Sequence, residues 1–255
     1  MSEELDVAKK AAKEAGKILM KYFRKEFSVE TKSDGTPVTI ADKESEKTIV
    51  DTIKEAFPEH AFFGEETGES GNGENIWIID PLDGTKSFVR GLNDFGILIA
   101  LQKKGEVVLG VMYLPTTNEL YFAEKGKGAF LDEKQIFVSK IDSLEKSMVY
   151  LDTNKVQWDK NNFWEKGIDM MKIAAVIRAE NGSNKLGYVA SGLAEVYVGM
   201  GLSIWDVAAT KLIIEEAGGK LTDFNGKDTI NSDRCIASNG LVHDEIQKCV
   251  GEKND

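Results

Sequence analysis

Cysteine and histidine are scarce in this chain, with two of each in 255 residues. Cys235 and Cys249 are too few for a disulfide framework and lack the spacing of a zinc site. His60 and His243 exclude a multi-histidine metal centre by count, so any metal chemistry has to use carboxylates. No apolar run reaches the roughly 18 residues that a membrane span needs. Met1 to Lys21 is a charged amphipathic pattern without the apolar centre of a signal peptide. A surplus of positive charge is missing as well: 43 acidic residues against 32 Lys and Arg leave a formal charge of −11. Such a surface repels phosphate backbones, which argues against a nucleic-acid partner. It leaves room for a small phosphorylated ligand, because a bound cation reverses the field locally. A reduced, cytoplasmic, soluble protein is expected, with neither nucleic acid nor membrane as partner.

The 42% hydrophobic and 29% charged content is that of a globular chain, long enough for one large domain or two small ones. There is no internal repeat or low-complexity tract. Leu5, Ala8, Ala12, Ala15, Leu19 and Tyr22 recur at helical spacing, and a second helix is predicted from Ala41 to Ala56, stopping before Pro58. The polar stretch Thr31 to Pro37 between them reads as a loop. Short apolar runs from Ala61 to Leu131, separated by turns, predict an antiparallel sheet. Beyond about Ser143, strands alternate with helices. The expected architecture is an α+β half with an antiparallel sheet (1–140) packed on an α/β half (141–255).

Acidic residues stand at the ends of apolar segments. Glu65 and Glu66 lie in GEETG after Ala61-Phe62-Phe63, and Asp80 and Asp83 lie in WIIDPLDGT after Trp77-Ile78-Ile79. Asp42 and Asp206 open apolar helices. Each taken singly reads as a turn acid, a helix N-cap or a solvated loop residue. Together they are hard to explain as separate caps. Pro81 fixes φ, Gly84 permits a tight turn, and Asp80 and Asp83 can then converge on one hard cation such as Mg²⁺. Without a cation, two such close carboxylates would repel. Thr85 is predicted to begin a short helix whose free amides suit a phosphate.

At these residues the chain resembles the inositol monophosphatase family of magnesium-dependent, lithium-sensitive phosphatases. WIIDPLDGTKSFVR (Trp77 to Arg90) matches one family signature, and WDVAATKLIIEEAGG (Trp205 to Gly219) matches a second except at Thr210. GEET (Gly64 to Thr67) and VTIAD (Val38 to Asp42) stand where the family has a metal-binding Glu and an upstream Asp. The resemblance implies a layered αβαβα sugar-phosphatase-like fold, two to three Mg²⁺ ions and a homodimer. It implies one ion on Glu65, Asp80 and the Leu82 carbonyl, a second on Asp80, Asp83 and Asp206, and a weaker third on Glu65 and waters. Thr85, with Asp42 behind it, would orient and deprotonate water, and the amides of Gly84 and Thr85 would hold phosphate. Glu66 and Lys32 would support the metal ligands from behind.

The resemblance is weakest at the substrate. Inositol-specific members carry Glu seven residues before the second-motif Asp, where this chain has Gly199. Asp83 to Leu101, with Lys86, Arg90 and Gly91, is similar to the histidinol-phosphatase branch, while Gly182-Ser183 and Lys185 are similar to the nucleotidase branch. The expected substrate is a small phosphate ester of a polyol or sugar. The alternatives are histidinol phosphate, a 3′-phosphoadenosine-type nucleotide, or a non-catalytic regulatory role. Selectivity is assigned to a rim of Lys86, Glu180, Asn184 and Gly199 around an open pocket. Met170, Met171, Trp158 and Trp164 read as packing residues, His60 as a loop residue and Cys235 as a buried strand residue.

Overall fold

The computed structural model describes all residues except 33–34, 154, 161–162, 181, 183 and 252–255. The chain opens with α1 (Glu3–Tyr22), the hairpin β1 (Val29–Thr31) and β2 (Pro37–Thr39), and α2 (Ile40–Ala56). Next come β3 (Ala61–Gly64), β4 (Gly68–Ser70), β5 (Asn75–Asp83) and the short α3 (Thr85–Val89). A meander follows: β6 (Gly96–Lys103), β7 (Glu106–Leu114), β8 (Glu119–Glu124), β9 (Ala129–Leu131) and β10 (Lys134–Ile136). The remainder runs β11 (Met148–Leu151), α4 (Lys155–Lys160), α5 (Trp164–Ile173), β12 (Val176–Ala179), α6 (Asn184–Ala190) and β13 (Val196–Met200). It ends with α7 (Ile204–Glu216), β14 (Lys220–Thr222), β15 (Arg234–Ser238) and α8 (His243–Val250).

Two larger sheets result. The eight-stranded sheet has the order β10-β9-β8-β7-β6-β5-β3-β4, antiparallel except where β3 pairs with β5. The five-stranded sheet has the order β12-β11-β13-β15-β14, with β11 parallel to both its neighbours. Strand alternation sorts the apolar residues into layers, since successive side chains point to opposite faces. Trp77, Ile79, Ile97, Ile99 and Leu101 face α1 and α2, whose Leu5, Ala8, Ala12, Ala15, Ile49 and Ile53 complete that core.

Ile78, Leu98, Ala100 and Met112 point the other way, onto Leu186 and Val189 of α6 and Val207, Ala208 and Leu212 of α7. The same two helices also meet Tyr150, Tyr197 and Ala237 of the second sheet. That sheet's far face, Val149, Leu151, Val196, Val198 and Ile236, packs on Trp158, Met170 and Ile246 of α4, α5 and α8. The stack is helix, sheet, helix, sheet, helix, which is the layered αβαβα fold. Because α7 lies between two sheets, Val207 to Ile214 is buried without a break, as expected for a helix covered on all sides. Burying so long a run contributes on the order of 1.5–3 kcal/mol per large apolar side chain.

Candidate active site

Strand parity begins the site. Asp80 follows Ile78 on the face of β5 that looks toward α7, so a buried strand delivers a carboxylate to the middle layer. The strand runs further than its apolar core, ending at Asp83 instead of Ile79. Its ladder with β6 slips between Asp80, opposite Leu98, and Asp83, opposite Gly96. Pro81 sits in that bulge, where no ladder donor is needed. Asp80 Oδ1 accepts from the Leu82 amide at 2.9 Å, closing the turn. Gly84 has φ +84 and caps α3, so Asp83 is not the N-cap. A Cβ at Gly84 would lie 2.5 Å from the Asp94 carbonyl oxygen, so the turn demands glycine.

Three more segments bring acids to the same place. Parallel pairing of Gly64 with Ile79 sets the GEET turn beside Asp80, and the Glu65 amide donates to the Ile79 carbonyl at 3.1 Å. The Glu66 and Thr67 amides donate to Glu46 of α2, each at 2.9 Å, which anchors the turn to that helix. Asp42 and Asp206 are third residues of α2 and α7, not N-caps. The caps are Thr39 and Ser203, in reciprocal capping boxes. Asp42 Oδ2 accepts from the Thr39 amide at 2.8 Å and its hydroxyl at 2.6 Å. Asp42 Oδ1 lies 3.2 Å from Thr85 Oγ1, which is also 3.0 Å from the Leu82 carbonyl oxygen. The single Thr85 proton can serve either acceptor.

One oxygen from each of Asp80, Asp83 and Asp206 lies within 4.8 Å of the others. Burial, then the charges of Glu65, Asp83 and Asp206, hold Asp80 far above the usual carboxylate range. Burial, then Asp83, pushes Asp206 to about 7. Asp80 and Asp206 share a hydrogen bond, so one of them keeps its proton when no cation is bound. An all-oxygen set that cannot ionise fully on its own fits a hard divalent cation. Glu65 hydrogen-bonds Asp80 and is raised by burial despite the neighbouring Lys32. Lys32 Nζ bridges Glu65 and Glu66 at 2.8 and 2.7 Å. Burial opposes its charge, yet the two carboxylates hold Lys32 above the ordinary lysine range.

A cavity of about 250 Å³ opens on these groups, lined by Glu65, Asp80, Leu82, Asp83, Gly84, Thr85, Lys86 and Asp206, with Asp94, Asp152 and Tyr197 beyond. Asp42 stands behind Thr85, and Lys32 and Glu66 behind Glu65. Glu180 and Asn184 reach the cavity through partners. Lys185, buried, binds Asp94 at 3.1 Å and Glu180 at 3.0 Å, and Asn184 Nδ2 donates to Asp94 at 3.1 Å. Gly199 is not on the rim: it is an interior residue of β13 opposite Cys235. Ser183 lies outside the described residues. Thr210, the departure from the second signature, is buried with its hydroxyl donating back to the Asp206 or Val207 carbonyl. His60 is a loop residue between α2 and β3, as expected, and it is buried there, its Nδ1 accepting from Trp77 Nε1 at 3.0 Å.

Sequence reasoning misses Glu46 and also Ser45, whose hydroxyl donates to the Pro81 carbonyl at 2.8 Å. The signal exists: Asp42, Ser45, Glu46, Ile49 and Ile53 stand at i, i+3, i+4, i+7 and i+11, one face of a helix. The buried face of α2 turns polar where it meets the acidic turns.

The sequence pattern of the inositol monophosphatase family matches residues 1–253. A Thermotoga maritima protein named fructose-1,6-bisphosphatase/inositol-1-monophosphatase is 37% identical over 256 residues, covering 98% of this chain and 96% of that one. A histidinol-phosphatase of Chlorobaculum parvum is 38% identical over 256 residues, covering 98% of each chain. The crystal structure of the extragenic suppressor protein suhB from Bartonella henselae superposes with a TM-score of 0.94 at 31% identity, covering all of both chains. With this fold, this acidic centre and these relatives, the chain belongs to the inositol monophosphatase family and is a phosphoric monoester hydrolase.

Proposed function

We propose that the chain hydrolyses monophosphate esters of small polyols or sugars, using two to three Mg²⁺ ions and direct in-line attack by water. The observation that carries this reading is the meeting of Asp80, Asp83 and Asp206 within 4.8 Å, beside the turn that presents Thr85 and its partner Asp42. In this reading residues 1–140 supply Glu65, Asp80, the Leu82 carbonyl and Asp83 as metal ligands, and residues 141–255 supply Asp206. Bound Mg²⁺ would neutralise the carboxylates and the phosphate and acidify water toward neutral pH.

The chain's own groups do the rest. The Gly84 and Thr85 amides hold phosphate oxygens. Thr85 Oγ1 accepts a hydrogen bond from the attacking water and passes a proton to Asp42 Oδ1. As the water oxygen bonds to phosphorus, the bond to the leaving oxygen breaks on the opposite side, and the departing alkoxide takes a proton from solvent. Lys32 and Glu66 keep Glu65 in place. Lys86 faces the leaving alcohol, as does Asp94, held by Asn184 and by Lys185, which also pairs with Glu180. Among the described residues no Cys or His lines the cavity, which favours water over a phosphoenzyme nucleophile.

Phosphate release with and without Mg²⁺ tests the reading, using myo-inositol 1-phosphate, histidinol phosphate, fructose 1,6-bisphosphate and adenosine 3′,5′-bisphosphate. Mg²⁺-dependent release is expected, greatest for the polyol monophosphate. Release from none of them would overturn the reading. A preference of about a thousandfold for histidinol phosphate, roughly 4 kcal/mol in transition-state binding, would replace the substrate class.

A further inference from the structure

A glycine at position 199 predicts an open pocket, yet the space above it is filled. A Cβ built on Gly199 would lie 2.6 Å from Cε1 and 3.0 Å from the hydroxyl oxygen of Tyr197, and 2.8 Å from Leu202 Cδ1. Tyr197 and Gly199 are two apart on β13 and share a face. The Tyr197 ring therefore lies along its own strand over Gly199, a pose that any side chain at 199 would prevent. Tyr197 is only 2% exposed. It lines the same cavity as Asp83, Asp206 and Asp152. Asp152 follows β11, the parallel neighbour of β13, and its amide donates to the Val198 carbonyl at 2.9 Å, which sets it level with Gly199, over which the Tyr197 ring lies. Burial and then the Asp152 charge hold the phenol well above its ordinary range, so Tyr197 stays a proton donor.

Neither Tyr197 nor Asp152 reaches a reacting atom in the proposed mechanism. We propose that Tyr197, laid over Gly199 beside Asp152, is a specificity residue that hydrogen-bonds a hydroxyl of the leaving alcohol. The phenol and the carboxylate together match a hydroxyl, which both donates and accepts. Such a site disfavours an isostere lacking the hydroxyl, because its buried polar groups are then left without that partner. This rests on the polyol-phosphate reading and names the residues that would select the substrate class.

The test is the ratio of kcat/KM for myo-inositol 1-phosphate to that for cyclohexyl phosphate, a ring of matched shape without hydroxyls, measured with Mg²⁺. Tyr197→Phe should lower this ratio ten- to a hundredfold, with the change concentrated in KM for the inositol ester. Gly199→Ala, which displaces the ring without touching its hydroxyl, should lower the ratio in the same direction. Circular dichroism melting confirms that each variant is folded. A ratio unchanged in both variants, whether the two activities hold or fall together, overturns the assignment of Tyr197 and leaves the hydrolase reading standing. No phosphate release from either ester by the unmodified chain overturns both.

Discussion

Asp42 and Asp206 occupy the same place in the same local motif, the third residue of a helix whose cap it braces. Their tertiary surroundings are opposite. Asp42 gives one oxygen to Thr39 and faces a single hydroxyl, Thr85, with the other. Asp206 gives Oδ2 to the Ser203 amide at 2.6 Å and meets Asp80 and Asp83. In the proposed mechanism one acid takes a proton and the other shares a cation. A capping box decides where a carboxylate stands. What it does there depends on the groups that the rest of the chain brings opposite.

The contrast can be tested hardest at Asp206. Asp206→Asn keeps an oxygen for the Ser203 amide but removes a charge from the triad. Phosphate release at saturating Mg²⁺ should fall by about 10²–10³-fold, as when one preorganised electrostatic group is lost. The metal-free variant should melt higher than the parent, because a like charge has gone. If activity survives at limiting Mg²⁺, Asp206 does not hold the cation.

Asp42→Asn should act differently. We expect kcat to fall by about 10²-fold, the lower end for loss of a general base, with little change in KM or in the Mg²⁺ concentration giving half-maximal rate. A large shift in that Mg²⁺ requirement would erase the distinction between the two acids.

The caps come next. Thr39→Ala removes both the acceptor for the Ala41 amide and the donor to Asp42, and should cost about 1 kcal/mol in denaturant unfolding. Ser203→Ala should cost less.

The smallest effect is on the pH dependence of stability without metal. Asp206 is raised from 3.8 to about 7, so its contribution is present below pH 3.8 and is lost as pH rises through 7. His243 is lowered by burial from 6.5 to about 4, so its contribution is present above pH 6.5 and is lost as pH falls through 4. Its ring nitrogens meet Thr222 and Ser238 in the core. The two slopes oppose each other in the parent. In Asp206→Asn the melting temperature should rise more steeply between pH 4 and 6.5. An unchanged profile would mean that the Asp206 value is not raised.

Much of this architecture is legible in the order of residues. Periodicity places a helix to within a position: it predicts Ala41–Ala56 where α2 is Ile40–Ala56. Three-residue strands such as β1, β4 and β10 escape it, because three residues carry too little alternation to register. Pro81 reads as a turn residue that fixes φ, yet strand β5 continues through it to Asp83. The bulge that accommodates it is visible only with β6 in place. The acids themselves stand out by their positions at the ends of apolar runs. Tyr197 does not, because an aromatic in a buried strand looks the same whether its hydroxyl ends in the core or in a cavity.

Local sequence is sufficient to set the turn from Asp80 to Thr85, the capping pairs and the order of elements, because these depend on neighbours within a few positions. The joining of Asp80, Asp83 and Asp206 is different in kind. More than a hundred positions separate the β5 turn from α7, and they meet only because the apolar surface of α7 is buried between two sheets at once. Burial there lowers the local dielectric and draws like charges together, which raises the carboxyl groups and prepares the centre for a cation. Nor does a glycine at position 199 disclose that a tyrosine two residues earlier lies across it. That follows from the pleat of β13 and from the space its neighbours leave.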